Sequence, residues 1–324
     1  MDNKILFIIC VNKEWLMDEC RYYINNLDIP DGYTIEIKEI RGAKNITEAY
    51  NEAMLSSDAK YKIYIHQDLL IVKKSMLFEM LEIFRNEQVG IIGVIGGTLY
   101  RDGNIHSFWN QGSALNAVYQ GVIRLSFPST GPYTEVEGID GMFIATQYDV
   151  EWDTRLSGWH FYDVSQCIRF KRQGYHVCVS NIEPAWTLHV SDYCNIDNYD
   201  ESRKQLCNLY PDCFEYVPTD ISVNDIGKEA DLKKLLYDEV VKNEIENYGV
   251  SKVEYLGIDD FFEIYYEIRF LLLRIEFGRP FSEWKKLIDY IKEKRISIRF
   301  LEIALNYSCL NPDKVAQAIE DSMF

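Results

Sequence analysis

In Tyr61-Lys62-Ile63-Tyr64-Ile65-His66-Gln67-Asp68 a histidine and a carboxylate stand two positions apart, directly after a strand-like run. Residues i and i+2 of an extended chain share a side, so His66 and Asp68 are expected to face one ligand together. The apolar residues before them place the pair at the carboxyl end of a buried strand, where open α/β sheets bind their ligands. The competing reading is an ordinary strand-end turn, and the surrounding elements have to decide between the two.

The chain has 324 residues, 47% hydrophobic and 26% charged, which is a globular composition with room for one large domain or a domain plus a smaller one. The net charge of -17 offers no basic face, which argues against a nucleic-acid partner. The acidity could attract a divalent cation, and solubility explains it equally well. Eight cysteines lie at 10, 20, 167, 178, 194, 207, 213 and 309, with no C-x-x-C pair. They read as reduced residues of a cytoplasmic protein rather than a zinc site. The apolar run Ile5–Val11 lacks the basic start and length of a signal peptide, and no apolar run approaches the ~20 residues of a membrane span.

The elements that must carry the pair alternate. Ile5–Val11 reads as a strand buried on both faces, Asn12 as the cap of a helix carrying Leu16, Cys20, Tyr23 and Ile24, and Thr34–Ile40 as a second strand. This β-α-β opening implies a parallel sheet. Asn45-Ile46-Thr47-Glu48 has the form of a helix cap, and its helix N-terminus is expected near the strand ends, able to face an anion. Leu77, Met80, Leu81 and Phe84 mark a further helix, and Val89–Val94 a further buried strand. Residues 98–134 read as loops and a hairpin near the site, with His106 and Trp109 among them. A glycine-rich loop from Glu135 enters a strand near Met142, and Gly158-Trp159-His160-Phe161-Tyr162-Asp163 leads into a helix stopped by Gly174. His176–Val179 reads as a last strand, followed by a polar helix through Tyr210. From about residue 225 the apolar spacing becomes wholly helical.

Four stretches in this order resemble the A-type (GT-A) inverting, family-2-like glycosyltransferases, and most closely the glycosyltransferase-like group named for streptomycin-biosynthesis proteins. They are Cys10-Val11-Asn12; Asn45 through Glu52; Ile65-His66-Gln67-Asp68; and Glu137 through Asp163 to Arg169 and Gly174. The resemblance implies an α/β fold of Rossmann-like type, mostly parallel with flanking helices, over residues 1–220, followed by an all-helical C-terminal domain over 225–324. It implies transfer of a sugar from a nucleoside-diphosphate sugar, UDP-linked by expectation, to a hydroxyl of a glycan, lipid-linked or protein acceptor. A divalent cation, Mn²⁺ or Mg²⁺, would neutralise the leaving diphosphate. By position Asp68 and His189 are implied as metal ligands and Asp163 as the general base. Val11, Asn12, Glu39, Arg41, Asn51, His66, Gly141 and Met142 fall at donor positions, and Trp159 and His160 at the acceptor. Two residues depart from the family pattern: His66 stands where Asp is usual, and Tyr162 where Glu is usual.

Other readings remain open at this level. A nucleotidyltransferase would want a glycine-rich loop after the first strand, and Asn12-Lys13-Glu14 has no glycine. A non-catalytic relative holding a nucleotide, glycan or protein partner fits the two departures. Structural explanations compete residue by residue: Asp163 as a first-turn acid, His189 as a satisfied histidine, Trp159 as core. The C-terminal helices fit a packing appendage, a homo-oligomer contact or an acceptor-recognition element.

Overall fold

The computed structural model describes residues 3–99, 101, 110–118, 121–127, 129–190 and 198–216. The chain divides into two units, one of Met1–Leu115, Arg124–His189 and Ile196–Ser222, the other of Asn116–Ile123, Val190–Asn195 and Val223–Phe324. The described residues fall almost wholly in the first. The expected helical region 225–324, and with it the expected oligomer contact, lies outside them, as do His106 and Trp109.

The elements run in the order β1 (Lys4–Val11), α1 (Glu14–Asn25), β2 (Thr34–Arg41), α2 (Ile46–Leu55), β3 (Tyr61–Ile65), β4 (Leu69–Ile71), α3 (Met76–Ile83), β5 (Val89–Gly93) and β6 (Ile95–Gly97). Then come β7 (Gln111–Val118), β8 (Gly121–Ser126), β9 (Tyr133–Glu135), β10 (Gly138–Ile139), β11 (Phe143–Thr146), α4 (Tyr162–Arg172), β12 (His176–Ser180), β13 (Thr187–Val190) and α5 (Tyr199–Leu209). The fold is mixed α/β. A seven-stranded sheet has the order β2-β1-β3-β11-β5-β12-β9. Its β2-β1-β3 part and its β5-β12 pair are parallel, as the β-α-β opening predicts. β11 enters antiparallel between β3 and β5, and β9 is antiparallel at the edge. A second sheet has the order β10-β6-β7-β13-β4, with β8 paired to β7 in the expected hairpin. The short strands β4 and β13 are not legible in the periodicity, because three or four residues are too few to show a period.

The sequence of β1 explains the layering. Its odd residues Ile5, Phe7 and Ile9 pack with Met17, Cys20 and Ile24 of α1 and with Met76, Leu77 and Met80 of α3. Its even residues Leu6 and Ile8 pack with Ile46, Tyr50 and Ala53 of α2 and with Cys167 and Phe170 of α4. A strand apolar at every position therefore feeds two cores, one on each face. At ~1.5–3 kcal/mol for each fully buried large side chain, these residues hold the sheet between its helices. Among the described residues all six cysteines are free thiols, as expected, and burial pushes those of Cys167 and Cys178 up to about 12.

Of the two expected helix caps, one forms. Helix α1 begins after Lys13, with no side-chain cap, because Asn12 is engaged elsewhere. Helix α2 is capped as expected: the Asn45 Oδ1 accepts from the Thr47 N–H at 3.2 Å. Its N-terminus does not wait for an anion, since the Ile46 N–H donates to the Gly158 carbonyl and the Thr47 hydroxyl lies 3.2 Å from the Leu156 carbonyl. The cap thus pins the loop that leads to α4. Asn45→Ala is expected to cost ~1 kcal/mol of stability in urea unfolding, the usual loss for an asparagine cap.

Candidate active site

His66 follows β3 directly, and the chain turns there: the Leu69 N–H donates back to the His66 carbonyl at 3.2 Å. The extended-chain argument for His66 and Asp68 is therefore corrected. A tight turn, not strand alternation, gathers them, so the turn reading holds for these three residues. From Leu69 the chain enters β4, whose antiparallel partner β13 sets His189 opposite Leu69. His189 consequently stands beside Asp68, with Nε2 3.5 Å from the Asp68 Oδ1. The His66 Nδ1 lies 4.0 Å from the same oxygen. One ligand atom from each of the three residues falls within 4.8 Å of the others. Desolvation lowers the His66 imidazole from its ordinary value, while the Asp68 carboxylate acts the other way.

The second half of the site comes from the Asp140-Gly141-Met142 turn that enters β11. The pairing of Phe143 with Ile65 brings this turn alongside the end of β3, where the Met142 carbonyl accepts from the His66 N–H at 3.2 Å. Gly141 serves two residues of α4. Its N–H donates to the Asp163 Oδ2 at 2.9 Å, and its carbonyl accepts from the Tyr162 hydroxyl at 3.2 Å. The same hydroxyl is 2.6 Å from the His66 Nε2. Burial, reinforced by the neighbouring Asp140 carboxylate, pushes the Asp163 carboxyl up to about 7, against the pull of the Val164 and Gly141 N–H groups. Phe161, just before α4, adopts φ 60°, a left-handed conformation costly for an aromatic residue. That kink turns the chain so that Tyr162 and Asp163 open the helix at the site.

The remaining expected residues are placed as follows. Val11 is buried in the core. Asn12 is bound by Gln67, whose Oε1 accepts from the Asn12 and Lys13 N–H groups at 3.1 and 3.2 Å and whose amide nitrogen donates to the Asn12 side chain. Gln67 thereby ties the end of β1 to the turn after β3, a role that its place between two chemical residues hid. Glu39 and Arg41 pair at 2.6 Å inside a chain of charges from Arg21 to Glu14. Asn51 is not brought to the cluster through its amide, which is spent on both backbone groups of Trp152, at 3.0 and 2.8 Å. Met142 is buried, and its N–H donates to the Asp140 side chain. Trp159 is 47% exposed rather than core, and His160 packs edge-on against Tyr199. Asp140 was missed; its carboxylate beside Asp163 is the signal, visible only once β11 brings Gly141 to α4.

Two imidazoles and a carboxylate thus gather past the carboxyl end of β3, next to the helix that carries Asp163, on the side where open α/β sheets in general bind their ligands. Residues 6–210 match the family described as "Glycosyltransferase like family", and the chain belongs to that family. A search of curated proteins finds no match. Among solved structures, the chain is similar to a mannosyltransferase from Pyrobaculum calidifontis in complex with GDP-Man and Mn²⁺, at 14% identity and a TM-score of 0.34, over 56% of this chain and 58% of that one. It is also similar to a Drosophila β1,4-galactosyltransferase 7 in complex with manganese, UDP-Gal and xylobiose, at 13% identity and a TM-score of 0.40, over 60% and 73%. A third is GalNAc-T7 with UDP, GalNAc and Mn²⁺, at 10% identity and a TM-score of 0.44, over 76% and 57%. The chain thus spans less than two thirds of two of these three proteins. Among the described residues no helix is long and apolar enough to cross a membrane.

A Cβ on Gly141 would lie 2.2 Å from the Tyr162 hydroxyl. Gly141→Ala is therefore expected to push Tyr162 away from His66 and to lower stability by ~1–3 kcal/mol, read from urea unfolding.

Proposed function

We propose that the protein is a metal-assisted inverting glycosyltransferase that moves a sugar from a nucleoside-diphosphate donor, UDP-linked by preference, to an acceptor hydroxyl. The observation that carries this reading is the junction at Gly141, which joins a carboxylate poised near neutrality to the His66–Asp68–His189 cluster within a domain of the glycosyltransferase-like family. At the level of motifs the chain resembles the streptomycin-type group.

The cluster fits a divalent cation. One ligand atom from each residue lies within 4.8 Å of the others, with the Asp68 Oδ1 3.5 Å from His189 Nε2 and 4.0 Å from His66 Nδ1. Two imidazoles and one carboxylate suit a transition ion such as Mn²⁺ better than Mg²⁺, which favours an all-oxygen shell. Asp68, His189 and His66 would hold such a cation, which would supply positive charge to the leaving diphosphate. In the transfer itself the acceptor oxygen attacks the anomeric carbon, the bond from that carbon to the diphosphate oxygen breaks on the opposite face, and the acceptor proton passes to the Asp163 carboxylate. The Gly141 and Val164 N–H groups hold that carboxylate in place, and its affinity for a proton near pH 7 suits a general base. Glu39, Arg41 and Asn12 line the ends of β1 and β2 as candidate contacts for the base and ribose, and the exposed Trp159 offers a face for the acceptor sugar.

Three outcomes test the reading. Nucleotide-sugar hydrolysis or transfer is expected with Mn²⁺, to fall with Mg²⁺ and to vanish in EDTA; no turnover and no nucleotide binding with any donor sinks the enzyme reading. Asp163→Asn is expected to bind donor normally while kcat drops by ~10²–10⁴; transfer at the wild-type rate removes Asp163 from the role of base.

The pH dependence is set by the same carboxyl. The base is the ionised form, so kcat/KM is expected to rise through about pH 7, and a flat profile below that value contradicts the assignment. The folded carboxyl holds its proton above the unfolded value of 3.8, so Asp163's contribution to stability falls as pH rises from that value to about 7.

A further inference from the structure

The opposite end of β3 opens onto a second cleft, about 470 Å³ in volume and built wholly from the first unit. Tyr61, the first residue of β3, forms its floor together with Phe84 at the end of α3, the two rings stacked with centroids 5.8 Å apart. Tyr33, just before β2, joins them, its ring 6.3 Å from that of Tyr61 and tilted by 42°. Phe78 of α3 lines the same cleft and is 48% exposed, a large apolar ring left open to solvent. Four charged side chains also line it, Lys60, Glu82, Arg85 and Glu87, two of each sign, so the cleft is formally neutral in a chain of net charge -17. Glu82 holds Arg85 at 2.7 Å, and the Lys60 Nζ stands 5.3 Å from the centre of the Tyr61 ring. Burial, and after it the adjacent Tyr61 phenol, raises the Tyr33 hydroxyl above its ordinary value, so it keeps a proton to donate.

These groups select a ligand by its chemistry. An anion gains little, since each cation here is matched by a carboxylate. A wholly apolar ligand would strip water from four charges. A planar base wants two parallel faces, and the Tyr33 and Tyr61 rings diverge. A pyranose meets each condition: it is uncharged, its C–H face packs on aromatic rings, and the hydroxyls around its edge both donate and accept. A cleft of this size, with an apolar floor and a few polar groups, suits a small ligand. We propose that it is a second, non-catalytic site, which binds a neutral sugar unit. Five residues of β3 separate it from His66, ~16 Å at ~3.3 Å per residue, so a sugar bound here takes no part in chemistry at the His66 end. The proposal goes beyond the transfer reading, and the cleft shares no residue with that site.

The test uses the full chain and the methyl glycosides of glucose, galactose, mannose and N-acetylglucosamine. Binding is read by saturation-transfer NMR and by titrating protein with carbon-13-labelled phenylalanine rings. At least one glycoside is expected to bind and to shift the Phe78 resonance, which Phe78→Ala identifies by its loss. Phe78→Ala and Tyr33→Phe are each expected to weaken that glycoside ~2–10-fold, the range for one ring contact or one hydrogen bond. A thermal melt checks that each variant is folded. Trp159→Ala, in the loop before α4, is expected to leave the affinity unchanged. No glycoside bound, a glycoside that binds while the Phe78 resonance stays still, or affinity lost in Trp159→Ala but kept in Phe78→Ala overturns the proposal. So does uridine or glucose 6-phosphate moving the Phe78 resonance at a lower concentration than any glycoside, the mark of a base or anion site. None of these results bears on the transfer reading, which Mn²⁺-dependent turnover decides.

Discussion

The antiparallel entry of β11 between β3 and β5 is the constraint on which the site depends. Parallel strands alone would leave the end of β3 facing the loops after its parallel neighbours. A strand running the opposite way starts where β3 ends, so the Asp140-Gly141-Met142 turn must lie against His66. The Met142 carbonyl then holds the His66 N–H, and Gly141 is free to serve α4 through both of its backbone groups. No side chain in this arrangement could be moved by a turn of helix or a register step without breaking one of these bonds, because a one-residue slip reverses every side chain of a strand.

Charge is managed by proximity rather than by pairing. Among the described residues Asp163 accepts from two N–H groups and pairs with no cation, while the Asp140 carboxylate acts on it. The donors favour the ionised form, and burial with the neighbouring carboxylate outweighs them. Asp153 shows the contrast within the same domain. It too is buried, yet Arg155 and Tyr210 hold its carboxyl down at about 2. Two aspartates of one domain thus differ in proton affinity by what faces them.

The layers, the helix around Asn45 and the strand before His66 were legible because each leaves a period or a cap in the sequence. Strands of three or four residues leave neither, so β4 and β13 were invisible, and with them the reason that His189 stands next to Asp68. Position along the family pattern pointed to His189 and Asp163, but it could not say what holds them. It could not show that the Asn51 amide completes a bracket around Trp152. The two departures, His66 and Tyr162, looked like separate losses in one dimension. In three dimensions they are one contact, a fact that no spacing rule carries because they lie on different elements brought together by β11.

His66 follows directly on a strand of the large sheet, whereas Asp68 leads into β4 and His189 rides on β13, both strands of the smaller one. A shared cation would therefore act as a rivet between two sheets contributed by distant parts of the chain. Any ion bound only by the folded form adds to stability in proportion to the logarithm of its concentration. The firmness of the seam between the sheets would then be set by the metal supply around the protein as much as by its own packing.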